Sequence, residues 1–502
     1  MQSGTTGRNG QVASRVAAGR MRVFPNVQNI GLLTGPVLAL LLIIAVDRPE
    51  GLSFAALATG ALMVWMAIWW ATEAVPIPVT SLLPLVVLPL IGAGTPMSVG
   101  ASYGHHIVWL LFGGFVIAVG IERWNLHQRI ALNIVVRAGT SRKALVLGFM
   151  VATALLSMWI SNTATTLMIV PIALSAAAAL KESDGRFVSA LLLSICYAAS
   201  IGGIATPIGT PTNLIAMDWL QRETGESISF PQWMAIGVPA TCLLIPCAWW
   251  ITTRTLPSGR DADVLEGIRK DLSSLGSVST PEKRIALLFV IVAFLWISRL
   301  WLVRTLDAGG WNTLAGFSGS QVDMMIAILG AVAAFIIPAG PSEKRPLLEW
   351  EEAARIPWGV LILFGGGIAL GNAVKSTGLS VWLGGNLEAL GVLPTLLFVA
   401  AVVAMVIFLT ELTSNVATMT TLAPILGAMA AGIGAHAASF LAPAAIAASC
   451  AFMLPVATAP NAIVYATNSV PIRDMTRKGF QLNLLGIGII TLIGFFLAPL
   501  VV

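Results

Sequence analysis

Two stretches of this chain, residues 144–180 and 391–433, are apolar, nearly two helices long, and broken near the centre by a polar cluster. Ser161-Asn162-Thr163 interrupts the first and Thr413-Ser414-Asn415 the second. Their surroundings make these breaks costly. The chain is 57% hydrophobic and only 10% charged, where a soluble globular chain carries about 25% charged residues. Windows long enough to cross a bilayer, about 20 apolar residues, fall at roughly 30–46, 53–72, 76–93, 106–122, 187–205, 231–252, 284–303, 321–337, 357–374, 440–457 and 480–502, eleven in all. The chain therefore reads as an all-α polytopic membrane protein. Soluble enzyme, nucleic-acid binder and disordered scaffold are excluded. Within a bilayer a non-helical break persists only where it is buried in protein or lines a cavity.

Charge chooses between ways of threading the broken stretches. With a cytoplasmic N-terminus, eleven spans and both broken stretches re-entrant, all but five of the 28 basic residues fall inside. The five outside are Arg48, Arg222, Arg299, Arg304 and Lys375, as the positive-inside rule requires. If each broken stretch crossed as one long span, the basic loop 254–284 would lie outside. Two full spans in place of each hairpin would leave the loop sides unchanged. The first 30 residues carry Arg8, Arg15, Arg20 and Arg22 and lack an apolar core with a cleavage site, so a removable signal peptide is not expected.

The breaks belong to a repeat. The first half reads Leu111-Phe112-Gly113-Gly114, then Ser161-Asn162-Thr163-Ala164-Thr165, then Gly209-Thr210-Pro211-Thr212-Asn213. The second reads Leu363-Phe364-Gly365-Gly366, then Ser414-Asn415-Val416-Ala417-Thr418, then Ala457-Thr458-Ala459-Pro460-Asn461. Each Ser-Asn is followed a helix later by a proline, Pro171 or Pro424, and each Gly-Gly helix by an amphipathic segment, about 124–138 and 376–390. The loop sides give the halves opposite orientation. Inverted repeats with broken helices mark secondary transporters, whose substrate sits near the midplane where the repeats meet. Small polar residues also serve helix packing, but packing alone does not explain two clusters in matching places with the same distant Pro-Asn partner.

At a hairpin tip the ending helix offers free carbonyls and the starting helix free N–H groups. Asn162 and Asn415 add amide groups. Carbonyls and hydroxyls suit a hard cation such as Na⁺; N–H groups and the hydroxyls of Thr163 and Thr210 suit an anion. No Arg or Lys lies in the clusters, so an anion would be held by dipoles, hydroxyls and a neighbouring cation. Glu411 is the one acid close by, with a structural and a coupling role both open. His105 and His106 point in different directions on a helix and suggest no metal site. The four cysteines lie in apolar segments without a C-x-x-C pair. Nothing pairs a nucleophile with a base, so no enzyme activity is expected.

The two Ser-Asn clusters and two Pro-Asn breaks resemble those of the divalent anion/sodium symporters, the dicarboxylate and citrate carriers. The motifs are Ser161-Asn162-Thr163-Ala164-Thr165-Thr166, Ile201-Gly202-Gly203 running to Asn213, and Leu454-Pro455-Val456-Ala457-Thr458 before Pro460-Asn461-Ala462. The likeness covers nearly the whole chain past residue 30. It implies a homodimer, each protomer split into a scaffold and a transport domain that moves like an elevator, with the amphipathic segments as connecting arms. The corresponding division is a cytoplasmic segment 1–30, scaffold helices 31–104, a first repeat 105–257, a cytoplasmic loop 258–283, scaffold helices 284–356 and a second repeat 357–502.

Carried over by motif, the resemblance implies a first Na⁺ site at Ser157, Ser161, Asn162 and Gly209. A second falls at Thr410, Thr413, Asn415 and Ala457. Substrate carboxylates would meet Asn162, Thr163, Thr210 and Asn415 with its neighbours Val416 and Ala459. The chain departs from the dicarboxylate pattern at Val416, where Thr is frequent, and at Ala459, where Pro-Pro-Asn is common. A lost hydrogen-bond partner is worth about 1 kcal/mol, enough to change which dianion is preferred.

The function so implied is Na⁺-coupled symport of a C4 dicarboxylate such as succinate, malate or fumarate, with Na⁺ as coupling ion and no other cofactor. An exchanger without net Na⁺ coupling and a citrate or sulfate carrier are alternatives within the class. A sodium/proton antiporter, which would lean on Glu411, is the alternative outside it. Short loops point to a bacterial inner membrane, with the lipid bilayer, substrate and Na⁺ as partners and no nucleic acid.

Overall fold

The computed structural model describes residues 25–45, 51–178, 185–225, 228–256, 262–308, 317, 319–341, 343–387 and 394–502. Most of the N-terminal segment 1–30, the link at 179–184 and the start of the stretch 391–433 lie outside the described residues.

Among the described residues, eight helices are long and apolar enough to cross a membrane. In chain order α1 is Pro25–Ala45, α2 Phe54–Thr72, α3 Ile77–Thr80, α4 Leu83–Leu90, α5 Pro96–Ala101, α6 His106–Arg123, α7 Leu126–Ala138 and α8 Arg142–Ser157. They are followed by α9 Asn162–Ala178, α10 Gly185–Gly203, α11 Pro211–Thr224, α12 Phe230–Thr253, α13 Ala262–Ser274, α14 Thr280–Ile297, α15 Arg299–Ala308 and α16 Gly319–Ile336. After α17 (Trp350–Ala353) come α18 Trp358–Ser376, α19 Leu379–Leu387, α20 Thr395–Thr410, α21 Asn415–Gly432, α22 Ala438–Ala448, α23 Ala459–Tyr465 and α24 Ile472–Leu492.

Three expectations need correction. The window 76–93 is not one span: α3 ends at Thr80 and α4 begins at Leu83, because Pro84 brings no N–H to the Thr80 carbonyl. The freed Ser81 carbonyl accepts the Tyr103 hydroxyl at 2.5 Å, and its hydroxyl accepts from Trp70 Nε1 at 3.3 Å. The window 440–457 is helical only to Ala448; 449–458 is unwound. Finally, the chain is not wholly α. A small antiparallel pair, Pro338–Gly340 with Glu343–Pro346, fills the polar link after α16, where Pro338, Gly340 and Pro341 favour a turn over a helix.

The Leu-Phe-Gly-Gly motifs are close-packing points. A Cβ on Gly113 would lie 2.7 Å from the Ala327 backbone of α16, and Gly366 abuts the Ser81 carbonyl. Of the two segments expected to be amphipathic, the first is the amphipathic helix α7, entered through Asn125 (φ 55°). The second, α19, entered through Gly378 (φ 82°), carries no charged residue, buries Leu379 and exposes the apolar Val381, so it lacks a polar face. Arg129 anchors α7 by pairing with Glu282 at 2.8 Å and donating to the carbonyls of Leu275 and Gly276.

One large apolar cluster joins both repeats. A second, built on Leu62, Met66, Trp70, Leu88 and Leu363, gathers α2, α4 and α18. The repeats interlock. α8 packs on α10 as α20 packs on α22, α9 packs on α23, and α11 packs on α21. Each outgoing hairpin helix thus lies against the short helix of the other half.

Candidate functional site

Ser157 closes α8 and Asn162 opens α9 after a four-residue tip. The Ser157 hydroxyl lies 2.7 Å from Asn162 Oδ1 and 2.6 Å from the Ala199 carbonyl of α10. Both neighbours are acceptors, and a hydroxyl has one proton to give. Three oxygens therefore share one proton within hydrogen-bonding distance. The second half repeats the arrangement. Thr410 closes α20, Asn415 opens α21, and the Thr410 hydroxyl lies 2.9 Å from Asn415 Oδ1 and 2.8 Å from the Ala448 carbonyl of α22. Surplus oxygen acceptors around a buried point suit a hard cation, which takes oxygen ligands without needing hydrogens.

The helix breaks match in finer detail. Asn213 Nδ2 reaches back to the carbonyls of Gly203 at 2.9 Å, Ile204 at 3.3 Å and Thr206 at 2.7 Å. Asn461 Nδ2 reaches back to Ala451 and Leu454, both at 3.0 Å. The sequence separations of ten and seven residues recur in both halves. Each Asn gathers carbonyls that the broken helix leaves without an intrahelical donor. The Oδ1 atoms of Asn213 and Asn461 are buried without a protein partner among the described residues.

The other expected residues divide by what they touch. A Cβ on Gly209 would lie 2.5 Å from the Gly203 carbonyl and 3.0 Å from that of Met158, so only glycine lets the chain come this close. Gly203 itself lies against Asn162, its added Cβ falling 2.5 Å from Oδ1. Gly209 and Asn162 therefore belong to one locale. Ser161 is occupied as a cap, its hydroxyl accepting from Ala164 N at 3.3 Å. Thr413 Oγ1 pairs with Thr418 Oγ1 at 2.6 Å and donates to the Leu409 carbonyl. Ala457 is buried and donates its N–H to the Leu454 carbonyl at 3.2 Å.

On the anion side, Thr163 sits half-buried in the first turn of α9. Thr210 is the buried residue before α11, and its side chain makes no cap. Its Oγ1 lies 3.4 Å from Thr212 Oγ1, which is 2.9 Å from Ser449 Oγ and so links the two breaks directly. The starts of α9, α11 and α21 offer first-turn N–H groups. α23 is only seven residues long, and Thr458 already accepts from Asn461 N. Val416 is half-buried and packs against both apolar clusters. Ala459 is exposed at the start of α23.

Glu411 is structural in its contacts. Its carboxylate accepts the N–H groups of Phe452 (2.8 Å), Met453 (2.9 Å) and Leu454 (3.1 Å) and Nδ2 of Asn483 (2.8 Å). The sequence did not reveal the Ala199 and Ala448 carbonyls, since a backbone oxygen carries no signature of its residue type. It did mark Asn213 and Asn461, but only as signs of a break.

Comparisons with known proteins bear on the family and the fold. Residues 28–502 match the family described as the sodium:sulfate symporter transmembrane region. A sodium-dependent dicarboxylate transporter, SdcS, of Staphylococcus saprophyticus is 42% identical over 490 residues, covering 94% of this chain and 92% of that protein. SdcS of Staphylococcus aureus is 40% identical over 496 residues, covering 96% and 93%. Among solved structures, the MtrF efflux pump of Neisseria gonorrhoeae aligns with a TM-score of 0.56 at 14% identity, covering 91% of this chain and 97% of that one. The YdaH transporter of Alcanivorax borkumensis aligns with a TM-score of 0.56 at 15% identity, covering 83% and 89%. At these identities the two structures bear on the fold alone.

Proposed function

Given that the chain belongs to the sodium:sulfate symporter family, we propose that it is a secondary transporter coupling Na⁺ to the uptake of a dicarboxylate, with a C4 dianion such as succinate, malate or fumarate as substrate. The observation that carries the reading is the paired oxygen cluster, Ser157–Asn162–Ala199 and Thr410–Asn415–Ala448, built alike in two halves of the chain.

The chemistry follows from what the site holds and lacks. Two cations take the clusters, the first with Ser157, Ser161, Asn162 and Gly209, the second with Thr410, Thr413, Asn415 and Ala457. Each also fixes a hairpin tip against its helix break. The dianion then meets the Asn162 and Asn415 amides, the Thr163 and Thr210 hydroxyls and the N–H groups that begin α9, α11 and α21, with Val416 and Ala459 at its margin. No arginine or lysine stands in the clusters. Two carboxylates therefore bind well only while Na⁺ offsets their charge, and departure of the cations loosens them. That mutual dependence is the linkage a symporter requires.

The two halves would move as an elevator, the hairpins and breaks forming a transport domain that slides against a scaffold of 31–104 and 284–356. The protein would work as a homodimer in a bacterial inner membrane with its N-terminus in the cytoplasm. Labelled succinate uptake into proteoliposomes tests the reading, with an inward Na⁺ gradient against a matched choline gradient. Uptake in Na⁺ alone is expected. Uptake in either salt, accelerated by succinate preloaded inside, makes the protein an exchanger and overturns the coupling; no uptake of succinate but uptake of citrate or sulfate overturns the substrate.

A further inference from the structure

The two helix breaks look alike in sequence but are held differently. Both breaks share one short turn, Gly209 N to the Thr206 carbonyl and Ala457 N to the Leu454 carbonyl, but in the first the chain also closes on itself through Ile204 N to the Ile201 carbonyl and Ala205 N to that of Gly202. The Thr206 hydroxyl ties the segment to the hairpin tip through the Met158 carbonyl. In the second break, the N–H groups of Phe452, Met453 and Leu454 point to the Glu411 carboxylate instead. Met158 and Glu411 stand at equivalent places, each next after the hydroxyl residue of its cluster, Ser157 or Thr410.

We propose that Glu411 is the positioning residue of the second cation site, holding the unwound segment 452–457 in the shape that presents Ala457 beside Thr410 and Asn415. The inference rests on the symport reading and assigns the two cation sites unequal support. The connection runs through Leu454. Its N–H is fixed by Glu411 and its carbonyl by Asn461 Nδ2, and that carbonyl also accepts the N–H of Ala457. On the far side Met453 O accepts the Thr476 hydroxyl at 3.3 Å. The segment thus hangs between a carboxylate along one edge and an amide along the other. Every partner of Glu411 named here is a donor, so both carboxylate oxygens act as acceptors. A glutamine there would turn its own NH₂ toward N–H groups and lose the charge. An aspartate keeps the charge at shorter reach. Among the described residues no carboxylate takes this place in the first break, where the Thr206 hydroxyl and the Ile201 and Gly202 carbonyls do the holding.

The test is the Na⁺ activation curve of dicarboxylate uptake by full-length protein in proteoliposomes, for wild type, Glu411→Gln and Glu411→Asp. Wild type should rise cooperatively with Na⁺, with a Hill coefficient of about 2 for two coupled cations. In Glu411→Gln the Na⁺ half-saturation should rise about tenfold or more, as loss of charged hydrogen bonds implies. The Hill coefficient should fall below the wild-type value, because the weakened second site no longer fills together with the first. The dicarboxylate KM at saturating Na⁺ should move by less than about threefold, since the first site and the anion contacts are untouched. Glu411→Asp should recover part of the Na⁺ affinity. Should Glu411→Gln not purify folded, Asn483→Ala removes one donor to the same carboxylate, and its Na⁺ half-saturation should rise in the same direction. A wild type indifferent to Na⁺ overturns the symport reading itself. A Na⁺-dependent wild type whose Glu411→Gln curve superimposes on it overturns the assignment of Glu411. So does a Glu411→Gln variant losing succinate and Na⁺ affinity in equal proportion, because that is general damage and not loss of one cation.

Discussion

Replacing Asn213 by leucine keeps the side-chain size and removes the amide that holds the first helix break. The cost can be worked from its partners. Asn213 is fully buried, and its Nδ2 makes two close bonds, 2.7 Å to Thr206 O and 2.9 Å to Gly203 O, with a longer contact to Ile204 O. Ile204 O keeps the Trp233 indole at 3.1 Å, and Thr206 O keeps the Gly209 N–H at 3.3 Å. Gly203 O is the acceptor left without a replacement. Two lost bonds at about 1 kcal/mol each, and one stranded buried carbonyl at about 1 kcal/mol or more, sum to about 3 kcal/mol. If the folded protein survives, that energy falls on the shape of the break, and about 3 kcal/mol corresponds to roughly a hundredfold in an equilibrium. Na⁺-induced thermal stabilisation of purified protein reads it directly, beside succinate uptake. Asn213→Leu should lose most of the Na⁺-induced shift, and Asn213→Asp should do worse, since it sets an acceptor against carbonyls. The matched pair at Asn461, with two carbonyls, should behave alike and somewhat less severely. An Asn213→Asp protein with wild-type Na⁺ response would refute the claim that this amide braces the break.

Three further expectations follow from the geometry. Asn162→Ala and Asn415→Ala each strip one cluster of its amide oxygen, and each should abolish most Na⁺-driven uptake in protein that still purifies as a single species by gel filtration. Val416→Thr exchanges a methyl packed between two apolar clusters for a hydroxyl near the anion side. It should cost about 1 kcal/mol of stability and shift the succinate-to-citrate preference, measured by competition; an unchanged ranking removes Val416 from the substrate margin. Arg299 and Asp323, both 3% exposed and paired at 2.8 Å, tie the start of α15 to α16. Asp323→Ala leaves an uncompensated buried cation and should destabilise the protein by about 3 kcal/mol or more in thermal unfolding, whereas the same substitution should leave the succinate KM of folded protein unchanged.

The sequence by itself determined the membrane class, the two polar breaks and the matching order of motifs in the two halves of the chain. The physical reasons are local. Apolar length sets a span, and a Ser-Asn pair or a Pro-Asn break inside such a run has no innocent place in lipid. The polar breaks marked Asn162 and Asn415, and the family resemblance added Ser157 and Thr410; in both halves a hydroxyl five residues before an Asn falls across a tight helix–helix tip. Neither reached the third member of each cluster. Ala199 and Ala448 contribute backbone carbonyls from helices some forty residues away, and only the packing of α8 on α10 and of α20 on α22 brings them in. Span windows failed at 76–93 and 440–457 for a related reason. Hydropathy counts side chains, while the helix ends where backbone groups find better partners: Tyr103 for the Ser81 carbonyl, Glu411 for the N–H groups of 452–454. Glu411 shows the division most clearly. The sequence marked an acid in an apolar run, and tertiary structure supplied its four donors, from a segment some forty residues on and a helix about seventy residues on. Proximity of that kind is decided by how the chain closes on itself in three dimensions, which no window along the sequence contains.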